Sequence, residues 1–487
     1  MQRIFIIILF MMLHFHLSAQ VNWQRVYGEE LFNEGASVVQ TDDHDYVFLM
    51  NLSQFSGNSR ICLMCTDTLG EIKWLKNLTD SLLFNGTDLQ IAADGGFLVT
   101  GSCYTDTSVT YDICLIKADA DGDLEWIRTY GGKGWDFGNA LLANPDTGCV
   151  IVGETYSYGP ENGNVYIIRT DALGDTLWTR VFGGDSLDFG SAVVSAIDGN
   201  YLIAANTYSY GAGDLDAWIM KIGEDGDGLW SAFYGDTLED RVYAIRSLWD
   251  GGFVFSGSTR NYGAQERDTW LIRFDAMGNS MWELPQPWTI GSGDQFTRSL
   301  VVNDSNYFAY SGWFAGPTVG GYDFFITVMG DYFNWRSGAS FGDIEDEYLV
   351  ETIFCHDGGY LLIGQTDGLG PANTNMYVVK TGPQCQSPFN VVYTTGVTEN
   401  AAHHEVRLKI FPNPAQDKVF LQSGAFVQDC DYNILLTDLQ GRMLIEKKLT
   451  PIQDGVISLR LDGLNSGLFL IEIRSEGLLL GGRLLVQ

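Results

Sequence analysis

Between residues 22 and 380 the chain alternates short apolar, β-branched runs with polar turns, and the alternation repeats as a unit of four runs. The first run opens on tryptophan and ends on an aromatic-glycine step, as in Trp126-Ile-Arg-Thr-Tyr130-Gly131. The second is rich in small and β-branched residues, as in Ser191-Ala-Val-Val-Ser195. A turn such as Asp250-Gly251-Gly252 leads to the third, Phe253-Val-Phe-Ser-Gly257, and a longer loop to the fourth, Asp268-Thr-Trp-Leu-Ile-Arg273. Period-two runs bounded by such turns read as strands, and Asp-Gly reaches positive φ at little cost, so the short connections read as hairpins.

Tryptophans at 23, 74, 126, 178, 230, 282 and 335 set the period, with spacings of 51, 52, 52, 52, 52 and 53. Four antiparallel strands in about 52 residues, seven times over, predict an all-β fold, a seven-bladed β-propeller over residues 21–382. Crowding near the axis favours the small-residue run as the innermost strand. The tryptophan run at 22–27 then supplies the outer strand of the last blade, beside Asn375-Met-Tyr-Val-Val-Lys380, and clasps the ring. An open solenoid is the competing arrangement. The repeat resembles the Gly- and Asp-rich propeller repeats of large exported bacterial proteins, a likeness that implies the fold and no transferable chemistry.

The flanks differ from the repeats. Residues 1–19 combine Arg3, an apolar run from Ile4 to Leu17 and Ser18-Ala19, the pattern of a cleaved secretory signal peptide. No other run is apolar enough to span a membrane, so no transmembrane segment is expected in the mature chain. Residues 383–406 carry no repeat pattern and read as a linker. Residues 407–487 hold seven short alternating runs, which predict a small β-sandwich.

Three motifs stand in order in that last segment: Phe411-Pro412-Asn413-Pro414, Leu436-Thr437-Asp438-Leu439-Gln440-Gly441-Arg442 and Leu464-Asn465-Ser466-Gly467-Leu468-Phe469, followed by the basic-apolar ending Arg483-Leu-Leu-Val486. Pro-Asn-Pro starts a strand after a rigid turn, and Asp438 with Gly441 suits a hairpin. The segment resembles the C-terminal sorting domain of the Bacteroidetes type IX (Por) secretion system. Phe469 and Arg483 stand where that family usually has Tyr and often Lys, changes that keep size or charge. The resemblance implies an export address read by the secretion machinery, with the cargo released or attached to the cell surface.

Charge sharpens the division. The whole chain carries 28 basic and 61 acidic residues, a formal net charge of −33. Residues 407–487 hold nine of each sign, which leaves residues 21–406 at −34. A field of that sign repels phosphate backbones, so nucleic acid is excluded as a partner. Glycine at 57 residues with only 11 prolines fits many tight turns.

Candidate chemistry is sparse. Of the histidines beyond the signal segment, His44 and His356 fall on Asp-Gly hairpins and His403 and His404 in the linker, which leaves little for a Ser-His-Asp or Cys-His arrangement. Asp119-Ala-Asp121-Gly122-Asp123 lacks the glycine and glutamate positions of a calcium loop and reads as a turn. The Cys62-x-x-Cys65 pair sits inside a strand run and reads as buried. No catalytic residue, metal site or cofactor is assigned.

Strand alternation puts the two longer connections of each unit on one rim. That rim collects Asp136, Asp188 and Asp240, each ten residues after its tryptophan, with Trp135, Tyr156, Tyr158, Tyr208, Tyr210 and Tyr262. Tyrosines beside carboxylates form a platform for a sugar ring or a protein, or else they staple their own loops. The expectation is an exported, surface-attached, non-enzymatic propeller that binds glycan or protein at this rim. A secreted glycosidase or lyase on the same scaffold and a structural spacer remain alternatives.

Overall fold

The structure is a computed structural model that describes most of residues 22–394 and the strands between 409 and 486. Residues 1–21, 395–408 and several loop tips lie outside the described residues, and with them the expected signal segment, His403 and His404. Seven antiparallel sheets form the blades of the ring. The small-residue run is the innermost strand of each, from Phe32–Gln40 in blade 1 to Glu347–Phe354 in blade 7, and the tryptophan run is the outermost, from Ile72–Asn77 in blade 1 to Trp335–Phe341 in blade 6.

Blade 7 takes its fourth strand from the other end of the propeller. Trp23–Tyr27 pairs antiparallel with Asn375–Thr381, in a register that runs from Trp23 opposite Lys380 to Tyr27 opposite Met376. Trp23, Val26 and Tyr27 are buried there, so the pairing carries a hydrophobic contribution as well as its ladder. Val391–Thr394, within the stretch read as linker, adds a fifth strand parallel to this one. The seam is also stitched on the hairpin rim. His44 and His356 face each other with their Nδ1 atoms 2.7 Å apart, and Gln40 accepts from the His356 amide at 2.9 Å while donating to the His44 carbonyl at 3.1 Å.

Facing sheets bury their apolar faces against each other. Leu202, Ile219 and Ala217 of blade 4, for instance, pack on Phe253, Phe255 and Trp270 of blade 5. The repeated tryptophan does a different job at the perimeter. Trp126 of blade 2 lies against the hairpin glycine of blade 3, Gly174, whose φ is +77°. A Cβ on Gly174 would fall 2.9 Å from the Trp126 ring, so the turn and the close approach both require glycine. The aromatic that ends the same strand, Tyr130, donates its hydroxyl to the Gly174 carbonyl at 2.6 Å. Tyr27 and Tyr234 repeat this bond to Gly70 and Gly278, so the tyrosine-glycine clamp crosses the seam in the form it has elsewhere.

The seven cysteines among the described residues are buried and form no disulfide with one another, Cys62 and Cys65 included. The Asp119–Asp123 segment is a turn: the Asp119 carboxylate accepts from the Asp121 and Asp123 amides, and Gly122 has φ +80°. Beyond the propeller, a three-stranded sheet and a four-stranded sheet enclose Val419, Leu421, Ile434, Leu436, Ile457, Leu459, Ile471 and Ile473. These residues alternate along their strands, as a two-sheet core demands. Phe469 is buried among them.

The clasp is testable. Tyr27→Ala should cost about 3–5 kcal/mol in chemical denaturation. Deleting residues 21–28 should lower the main calorimetric transition of the whole ring, and an unchanged transition would show that closure does not depend on this strand.

Candidate functional site

Every innermost strand carries a β-bulge at the same place, between Gly35 and Ser37 in blade 1 and at the matching positions of the other six. The bulge turns side chains toward the axis, where they line a cavity of about 630 Å³. The residue after the bulge is, from blade 1 to blade 7, Ser37, Asp88, Ala140, Ala192, Ala244, Ser299 and Glu351. Where it has an oxygen, that oxygen takes the backbone amide of the next blade's inner strand. Ser37 accepts from Leu89 at 3.2 Å, Asp88 from Leu141 at 2.7 Å, Ser299 from Thr352 at 3.1 Å and Glu351 from Val38 at 2.9 Å. These four latches make one continuous arc from blade 6 through the seam to blade 3. The alanines of blades 3, 4 and 5 have no such acceptor to offer.

Ser37 also joins the two acids, donating its hydroxyl to Glu351 at 2.7 Å with its oxygen 3.4 Å from the Asp88 carboxyl. Burial pushes both carboxyls up, Asp88 to about 6 and Glu351 to about 7, and the Asp88 charge adds to the effect on Glu351. Arg246, on the opposite side of the axis in blade 5, is near enough to draw both carboxyls back down in part, and burial holds its own guanidinium below the ordinary range.

The far side of the cavity is basic and aromatic. Arg241 and Arg298, from blades 5 and 6, lie over the same ring, Tyr243, with guanidinium-to-centroid distances of 5.2 and 5.3 Å. Arg241 also lies 5.0 Å from the Phe189 ring. Phe137, Phe189, Phe296 and Tyr348 occupy one equivalent position in four blades, one residue before the bulge's leading position and nearest the long-loop rim. Sequence reasoning passed over this lining. Its signal was present all the same: a charged or aromatic residue replaces the small residue of the repeat at 88, 243, 298 and 351, and an arginine replaces the usual aromatic at 241.

The rim residues fall into two groups. Asp136, Asp188 and Asp240 are fully buried rather than displayed. Each closes its own exit loop: Asp136 accepts from the Gly132 amide at 2.9 Å and the Ser157 hydroxyl at 2.6 Å, Asp188 from Gly184 and Ser209 at 2.8 and 2.7 Å, and Asp240 from the Asp236 amide at 2.8 Å. The aromatics are exposed, Trp135 at 56% and Tyr156, Tyr158, Tyr208 and Tyr210 at 38–43%. Tyr158 and Tyr210 nonetheless give their hydroxyls to the Gly131 and Gly183 carbonyls at 2.7 and 2.8 Å, which staples one long loop to the other. Tyr262 lies outside the described residues. So do Pro412, Asn413, Pro414, Asp438 and Gly441 of the sorting motifs, while Gly467 and Arg483 stand on the strands Gly467–Ser475 and Leu478–Val486. No cluster of three or more His, Cys, Asp or Glu is placed to hold a metal ion, and no helix is long and apolar enough to cross a membrane, among the described residues.

The acid pair gives a pH signature. Unfolded carboxyls titrate near 4, so between there and about 7 the folded chain keeps protons that the unfolded chain releases. Stability from this pair is therefore highest near the acid end of that window and falls as pH rises through it. Glu351→Gln, which keeps an acceptor for Val38 and Ser37, should leave stability unchanged at pH 5 and raise it by about 1 kcal/mol at pH 8 in denaturant titrations.

Comparison with known proteins divides the chain in the same way. Residues 409–487 match the secretion system C-terminal sorting domain family (Por_Secre_tail). No curated protein sequence matches the chain. Among solved structures, the β-propeller domain of the Trilobed protease from Pyrococcus furiosus aligns at 11% identity and a TM-score of 0.43, over 72% of this chain and 93% of that one. A protein of unknown function from Dyadobacter fermentans aligns at 11% identity and a TM-score of 0.39, over 74% and 98%. The acylaminoacyl peptidase of Pyrococcus horikoshii aligns at 10% and 0.44, over 82% of this chain but only 59% of that one. The sorting domain puts the protein in the secreted or cell-surface class, as the type IX resemblance implied. The chain is thus a seven-bladed β-propeller that carries a secretion system C-terminal sorting domain.

Proposed function

We propose that the propeller is an exported, non-catalytic binding module whose ligand enters the axial cavity from the long-loop rim. The observation that carries this reading is the loss of sevenfold repetition along the axis. A ring held together only by its own packing needs the same residue in every blade, as the perimeter tryptophans show. The axial positions differ from blade to blade, acidic on one side and basic and aromatic on the other, and their volume is within the usual range for a ligand pocket. Trp135, Tyr156 and Tyr208 are exposed on the loops of the long-loop rim, with the aromatic area that sugars and protein loops favour. Glycan is the ligand class this polar, aromatic lining suits best.

A hydrolytic reading draws on the Asp88–Glu351 pair, since paired carboxyls with separated proton affinities are the equipment of glycosidases. Both carboxyls are already occupied by backbone amides of neighbouring blades, which favours the latch role. A glycan array run beside a polysaccharide-degradation assay separates the readings. Binding without product supports the binding module, product release supports the hydrolase, and no signal in either overturns both.

The export half is tested separately. A chain cut after residue 406 should fold and stay in the periplasm of a host that has the secretion system. Its appearance outside the cell at the level of the full chain would defeat the sorting role.

A further inference from the structure

Resting on the binding reading above, we infer that Arg241 and Arg298 bind the acidic group of the ligand, so that the propeller takes a carboxylated sugar, of the uronic acid class, into its axis. The argument begins with charge. Residues 21–406 carry 18 basic and 52 acidic residues, so nearly every cation has an anionic neighbour to spare. Elsewhere on the blades they do pair: Lys117 with Asp94, Lys221 with Asp198, Lys380 with Asp357. In the axis, by contrast, no carboxylate lies within 4 Å of Arg241 or Arg298 among the described residues. The two guanidiniums instead share one face partner, Tyr243.

Glu154 acts on Arg241 only from beyond salt-bridge distance, so the pair still gains from a closer anion. The Arg241 Nε is buried and has no hydrogen-bond partner. Arg298 itself is exposed to the cavity, and the like charge of Arg241 stands beside it. Neither arginine is a relic of the repeat. The positions equivalent to Arg298 are Ala36, Thr87, Asn139, Ser191, Tyr243 and Val350, so the cation is peculiar to blade 6. Planar guanidiniums held over a ring present their N–H edges to an incoming group, and a carboxylate meets that edge with two oxygens.

The rest of the arc says what the acid is attached to. Continuing round the axis from Tyr243 toward blade 2, the same bulge position offers Ser191, Asn139 and Thr87; Asn139 donates to the Gly190 carbonyl at 2.9 Å and Thr87 to the Gly138 carbonyl at 2.7 Å, which leaves each an oxygen to accept with. Ser191 accepts from the Asn206 amide at 2.7 Å and keeps its own hydroxyl hydrogen to donate. Phe189 supplies a ring face beside them. One anion site, a row of hydroxyl-matching groups and an aromatic face fit a polyhydroxylated acid better than an acidic peptide, whose carboxylates would need several cations in a line.

The test uses the full chain and isothermal titration with trisaccharides of galacturonate, glucuronate and mannuronate, each beside its methyl ester, which keeps the shape and removes the charge. At least one free acid should bind about tenfold or more tightly than its ester, weakening as salt rises. Arg298→Gln and Arg241→Gln should each erase that preference, Arg298→Lys should restore part of it, and Lys73→Gln on the outer surface should change nothing. Melting curves of all four variants identify any loss caused by misfolding, and the lysine variant decides the matter if a glutamine variant fails to fold. Esters or neutral glycans that bind as well as the acids overturn the inference while leaving the binding reading intact. Silence from every glycan overturns both, and tight binding of poly-glutamate with no uronate binding overturns the sugar assignment.

Discussion

A propeller is a closed ring made from an open chain, and its stability rests on how the two ends meet. Here the meeting is a β-ladder. The strand Trp23–Tyr27 completes blade 7 in register with Asn375–Thr381, buries Trp23, Val26 and Tyr27, and hands its tyrosine hydroxyl to the first hairpin of blade 1. Without it blade 7 ends on an unpaired strand and blade 1 loses the neighbour that covers its hairpin. The inner edge of the ring meets a related difficulty. Amides on the innermost strands have no further strand to pair with, so the protein borrows side-chain oxygens from adjacent blades. The latches from the residue after the bulge cluster around the seam, where two ends of one chain have to be held together; over blades 3 to 5 that residue is alanine, and Asn206 of blade 4 takes the Val242 amide of blade 5 instead.

That asymmetry ties stability to the proposed chemistry. Asp88 and Glu351 hold the seam and also make one wall of the cavity acidic. Where the residue after the bulge is alanine other groups line the axis, and it is in blade 5 and the adjoining blade 6 that Arg241, Tyr243, Arg246 and Arg298 are found. The ring's structural requirement and its proposed recognition surface thus share one axis and meet at blades 6 and 2, where Arg298 and Thr87 stand beside the latch residues Ser299 and Asp88.

Much of this was legible in the sequence. The tryptophan period and the Asp-Gly turns define seven equivalent sheets, and Trp74, Trp126, Trp178 and Trp230 each lie against a hairpin glycine of the next blade, a constraint strong enough to repeat. The N-terminal clasp follows from having a tryptophan strand with no unit before it. The sandwich strands were readable from period-two alternation, as in Ile434 and Leu436 or Ile471 and Ile473. The cavity was not readable, because a bulge at Gly35–Ser37 and its six counterparts cannot be seen in the alternation, and it is the bulge that decides which side chains face the axis. For the same reason Asp136, Asp188 and Asp240 looked like surface groups: their spacing from the tryptophan is visible, whereas the exit loop folding back over each carboxylate is not.

Order along the chain gives the clasp a further meaning. The first strand of the ring has to wait, unpaired on one side, until the whole of blade 7 has been made, so the contact that shuts the ring spans almost the full propeller and is among the last that a growing polypeptide can form. Val391–Thr394 then lies along the outer edge of that strand. Only after those residues does the export address begin. The signal that commits the protein to leave is therefore synthesised after every residue needed to close what it carries.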